Sequence, residues 1–80
     1  MPLWTVYTRS GCGLCEELIQ ELAVELGPAE ASRVTVVDIA GDEELERKYG
    51  RRIPVLLADG EFVCGYRLDK GRLAAYLAAP

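Results

Sequence analysis

Two cysteines three residues apart, Cys12 and Cys15, sit where the pattern of this chain changes from strand to helix. Before them, Leu3 to Tyr7 (LWTVY) is aromatic and β-branched, the composition of a strand. Gly11 to Gly13 supplies a turn. From Leu14 on, apolar residues recur at Leu18, Ile19, Leu22 and Leu26, the spacing of one buried helix face, while Glu16, Glu17, Glu21 and Glu25 form much of the rest. A Cys-x-x-Cys pair at a strand-to-helix turn admits few folds.

The remaining segments continue the alternation. Gly27-Pro28 ends the first helix, since glycine suits a left-handed cap and proline cannot continue. Arg33 to Ile39 (RVTVVDI) reads as a second strand. Asp42 is an N-cap for a short helix running to about Tyr49 and closed by Gly50. Val55 to Ala58 is a third strand, Asp59-Gly60 a two-residue hairpin turn, and Glu61 to Cys64 the returning fourth strand. Asp69 caps a last helix carrying Leu73, Tyr76 and Leu77. The order β-α-β-α-β-β-α makes the first two strands parallel and the last two antiparallel. The expected class is α/β: a four-stranded mixed sheet flanked by three helices.

With 80 residues there is room for one domain. No run approaches the roughly 18 apolar residues of a membrane span, and the first residues lack the basic-then-apolar pattern of a secretory signal. A cytoplasmic monomer away from membranes is expected. The net charge of -4 disfavours nucleic acid, which needs a basic stripe. The one dense basic group, Arg47, Lys48, Arg51 and Arg52, follows Asp42, Glu43, Glu44 and Glu46 and reads as a solvated helix face.

The three cysteines are an odd number, unlike the even sets of small secreted scaffolds. A metal site needs about four ligands. The chain has no histidine, and its only further cysteine is Cys64, so no metal site within one chain is expected. A dithiol remains. It needs one exposed sulfur of lowered pKa and a second within reach. Cys12, at the N-cap or first turn, meets unpaired backbone N–H groups and the positive end of the helix dipole; Cys15 lies on the same side, one turn deeper. Cys12 is therefore the expected nucleophile and Cys15 the buried resolving thiol. Gly11, Gly13 and Leu14 are the expected substrate-facing positions around them, the glycines leaving the backbone open to a bulky disulfide. Arg9 adds positive charge near the thiolate or an incoming carboxylate, and Glu16 and Glu17 are expected to point to solvent. Cys64, in a strand, reads as a buried small hydrophobe.

Taken together, VYTRSGCGLC, RRIPVL and VCGYRLDKGRL resemble the thioredoxin superfamily, and more closely small bacterial glutaredoxin-like proteins. The resemblance spans nearly the whole chain in element order and implies a thioredoxin-like fold. It implies a thiol–disulfide oxidoreductase with Cys12 attacking and Cys15 resolving. It implies that Pro54 is cis, that Ile53 offers its main chain to an extended substrate, and that Arg9 and Gly65 lie near a glutathione site. Glutathione is then a co-substrate, no cofactor is tightly bound, and a disulfide-containing protein or glutathione is the partner. The chain departs from these families at several places, among them Gly11, where thioredoxins have tryptophan. Gly13-Leu14 replaces the usual Pro-Tyr, Val6 stands where thioredoxins bury an acid, and Cys64-Gly65 replaces a double glycine. Two further functions stay open: a binding module of the same fold without turnover, and a dimer holding a metal or cluster through Cys12 of each chain.

Overall fold

Each helix begins at a residue suited to start it. In the computed structural model, which describes residues 2–78, Cys12 is the N-cap of α1 (Gly13–Leu26). Helix α1 ends at Gly27, whose φ of 85° is left-handed and whose N–H donates to the Ala23 carbonyl. Pro28 then opens a four-residue helix, α2 (Pro28–Ala31), which the sequence did not lead us to expect. Proline stops a preceding helix but suits the first turn of the next, where its missing N–H costs nothing. The Asp42 carboxylate accepts the Leu45 N–H at 3.1 Å and caps α3 (Glu43–Tyr49). Asp69 accepts the Arg72 N–H at 3.0 Å and caps α4 (Lys70–Ala78).

The strands β1 (Trp4–Thr8), β2 (Thr35–Asp38), β3 (Val55–Ala58) and β4 (Glu61–Gly65) form one mixed sheet in the order β2-β1-β3-β4. As expected, β1 and β2 are parallel and β3 and β4 antiparallel; β3 also pairs antiparallel with β1. Asp59 and Gly60 take φ of 50° and 82°, the left-handed pair that a tight hairpin requires. A register shift opposite Leu56 and Leu57 breaks the alternation of β4, so that neighbouring Val63 and Cys64 are both buried.

On one face of the sheet Trp4, Val6, Leu56, Ala58, Val63 and Cys64 meet Leu18 and Leu22 of α1 and Leu73 of α4 in a single cluster. Fully burying each large apolar side chain there contributes about 1.5–3 kcal/mol. On the other face Tyr49 of α3 stacks on Tyr7, ring centroids 4.9 Å apart. Helices thus cover both faces. Among the described residues no helix is long and apolar enough to cross a membrane.

The pairing directions gather four chain segments at one end of the sheet. β1, β2 and β4 finish there and β3 starts there. Helix α3 leaves from this end and returns to it, which is how a seven-residue helix suffices for the connection. Cys12, Asp38, Pro54 and Tyr66 follow from or adjoin these strand ends. The Asp59-Gly60 turn and Leu3 lie at the opposite end, joined by the Leu3 N–H to Asp59 bond of 2.8 Å.

Candidate functional site

Beyond β1 the chain turns sharply. The Cys12 N–H donates to the Arg9 carbonyl at 3.1 Å, and Gly11 takes φ 78°, where a side chain would be strained. This turn delivers Cys12 to the start of α1 in extended conformation, φ -88° and ψ 108°. Its Sγ accepts the Cys15 N–H at 3.2 Å. Cys12 and Cys15 are joined by a disulfide, with Cα atoms 5.2 Å apart. Cys12 is half-buried, whereas Cys15 is 2% exposed. The backbone N–H that caps through Cys12 Sγ is also a donor for a thiolate there, next to the positive end of the dipole.

Open space surrounds the residues between the cysteines. A Cβ on Gly13 would meet nothing within 4 Å, and Leu14 is exposed. Glu16 and Glu17 are exposed. Arg9 carries its charge elsewhere than a bare approach to Cys12: its guanidinium is paired with Glu46 of α3 and lies against Gly50. Beside it, the Ser10 hydroxyl donates to Asp38 at 2.7 Å and the Ala40 N–H donates to the same carboxylate at 2.9 Å. These contacts, the Ala40 N–H first and then Ser10 and the nearby Arg9 charge, hold the Asp38 carboxyl below its ordinary 3.8. The Arg9–Gly11 turn is therefore tied to β2 through Asp38 and to α3 through Glu46.

Across the sheet end, Val55 pairs with Tyr7, which brings the residues before β3 level with the end of β1. The Ile53–Pro54 peptide bond is cis. Pro54 is buried and Ile53 half-buried. Three carbonyls of this loop are occupied: Tyr66 donates its N–H to Arg52 (3.1 Å) and Pro54 (2.9 Å), and its hydroxyl to Arg51. Among the described residues the N–H and C=O of Ile53 take no partner. Gly65 allows a close approach, since a Cβ there would sit 3.0 Å from the Arg52 carbonyl oxygen.

Cys12, Cys15, Gly11, Gly13, Leu14 and Arg9 thus lie on one turn, with Ile53, Pro54 and Gly65 on neighbouring segments at the same end of the sheet. Cys64 faces the core, 5% exposed, and burial pushes its thiol up from the ordinary value. Val6 is fully buried, and among the described residues the only buried polar or charged residue is Thr8, so none of their carboxylates is buried with Cys15. Among the described residues no three His, Cys, Asp or Glu side chains cluster as metal ligands would. Asp38, Glu46 and Tyr66 went unremarked as site residues in the sequence. Only Asp38 carried a signal, an acid ending a β-branched strand.

Comparison with known proteins adds the following. A family model described as Glutaredoxin-like domain (DUF836) matches residues 4–78. The uncharacterized protein Rv0508 of Mycobacterium tuberculosis is 36% identical over 84 residues, covering 96% of this chain and 84% of its own. The solution structure of protein Ne2328 from Nitrosomonas europaea is 40% identical with a TM-score of 0.81, covering 95% of this chain and 92% of that one. The X-ray structure of target protein XcR50 from X. campestris is 36% identical with a TM-score of 0.70, covering 96% and 99%. Oxidized glutaredoxin 2 from Chlamydomonas reinhardtii shares the fold, with 22% identity, a TM-score of 0.60 and coverage of 92% and 70%.

Proposed function

Because the chain belongs to the glutaredoxin-like domain family DUF836, we propose that it is a thiol–disulfide oxidoreductase working through Cys12 and Cys15. The observation that carries this proposal is Cys12 Sγ at the helix start, accepting the Cys15 N–H at 3.2 Å, with Cys15 buried one turn deeper. In the reduced protein the Cys12 thiolate attacks one sulfur of a substrate disulfide. A Cys12–substrate disulfide forms, and the other substrate sulfur leaves as a thiolate that takes a proton from solvent. Cys15, having lost its proton, then attacks Cys12 Sγ. The Cys12–Cys15 bond closes and the second substrate thiol departs. The dithiol is oxidised by two electrons and the substrate disulfide reduced to two thiols.

The unpartnered Ile53 peptide supports binding of an extended substrate by strand-like main-chain bonds. A disulfide-containing protein or glutathione is the substrate class. Two equivalents of a thiol such as glutathione, or a reductase, return the pair to the dithiol. The cytoplasm, where thiols are kept reduced, is the fitting compartment.

A redox titration in glutathione buffers, read as intact mass after alkylation, tests this. One discrete midpoint for a Cys12–Cys15 disulfide is expected, together with loss of disulfide-reducing activity in Cys12→Ser. Full activity in Cys12→Ser would sink the proposal. Fully buried Val6 favours a second function, binding without turnover, because among the described residues no buried acid stands by to take the Cys15 proton. In that case a Cys12→Ser, Cys15→Ser variant still captures the partner while the wild type turns nothing over.

A further inference from the structure

We propose that Tyr66 is a positioning residue that clamps the Arg51–Pro54 loop and leaves the main-chain N–H and C=O of Ile53 free to dock substrate. This rests on the oxidoreductase function proposed above. Tyr66 is a bulky residue at φ 68°, in the left-handed region where such side chains are rare. Among the described residues the other non-glycine residue with positive φ is Asp59, in a hairpin turn that demands it. The Arg67 N–H donates to the Gly65 carbonyl at 2.8 Å and closes a three-residue turn centred on Tyr66; glycine would adopt its φ without strain.

Tyrosine brings a phenol that glycine lacks. Its hydroxyl donates to Arg51, while its N–H reaches both Arg52 and Pro54. One residue thereby holds three of the loop's four carbonyls. The fourth, on Ile53, stays free together with the Ile53 N–H. Gly65, just before the clamp, lets the two segments approach to where a Cβ would sit 3.0 Å from the Arg52 oxygen. The Tyr66 side chain does not fill the core, being 54% exposed. A tyrosine kept at such a turn, its hydroxyl and N–H both bonded to the loop opposite, points to a role in positioning that loop.

Tyr66→Phe removes the phenol bond and keeps the ring. The test is single-turnover oxidation of prereduced full chain by two disulfides. One joins two blocked tripeptides centred on cysteine; the other is bis(2-hydroxyethyl) disulfide, which has no peptide to lay along Ile53. The ratio of second-order rate constants, peptide over small disulfide, is expected to fall about three- to tenfold in the variant. An unchanged ratio overturns the proposal, as does an equal loss on both substrates. Amide hydrogen exchange supplies a readout that needs no turnover. Exchange of the Tyr66 N–H, which is bonded to Arg52 and Pro54, is expected to quicken severalfold in Tyr66→Phe, with the β1 and β3 amides unchanged. Unchanged exchange overturns the clamp. A wild type that reacts with neither disulfide overturns the oxidoreductase function instead, and the clamp then stands or falls on exchange alone.

Discussion

When the Cys12–Cys15 bond is reduced, its two thiols meet different surroundings. Cys12 is half-buried at a helix start; Cys15 is 2% exposed and Cys64 5%, and burial raises the Cys64 thiol. Brief iodoacetamide treatment of the reduced protein at neutral pH should give one adduct, mapped to Cys12. First labelling at Cys64 would contradict the placement. Asp38 gives a pH signature. Its folded pKa lies below the unfolded one, so its carboxylate contributes stability in full above the unfolded value of about 3.9. That contribution is lost as pH falls through the lowered folded value. The urea-midpoint gap between wild type and Asp38→Asn should therefore shrink on acidification below about pH 4. A gap that is constant with pH would refute the Ser10 and Ala40 contacts. Cys12 and Cys15 were legible in the sequence because their chemistry depends on three consecutive peptide units. The partners of Arg9 and Asp38, and the clamp at Tyr66, were not, because each joins segments that only the folded sheet brings together.

At the level of elements, helix α1 is held by its apolar stripe and α3 by its cap. Leu22→Ala should cost about 2–5 kcal/mol, since Leu22 is 1% exposed in the main cluster. Helix α3 contains no buried residue, so removing its cap in Asp42→Ala should cost about 0.5–2 kcal/mol, much of it as fraying of α3. Urea denaturation reads both, and equal costs would argue against the division. The third strand was read from sequence at its observed bounds, because four consecutive apolar residues meet a hairpin turn directly. The second was read too long, Arg33 to Ile39 against Thr35–Asp38. β-branched composition continues past the point where pairing with β1 stops, and only the Ile39 N–H still reaches the Thr8 carbonyl, at 2.9 Å. Helix α2 was missed because one proline both ends and begins helices.

For the molecule as a whole, the disulfide closes a very short loop. Chain-entropy arguments assign such a loop about 2 kcal/mol, so the reduced protein should unfold at lower urea by that amount and not more. Loss of folding on reduction would mean that the bond is structural. The sheet also gives the molecule two unlike poles. Cys12, Pro54 and Tyr66 occupy one; the Asp59-Gly60 turn and Leu3 occupy the other, and the far half of α4 runs to it, with Tyr76 edge-on to Trp4 at 6.3 Å. Anchoring the protein to a solid support through a residue at that turn would present every molecule with its sulfur pair outward. An electrode or bead coated this way would carry an oriented layer, its reactive side toward the solution.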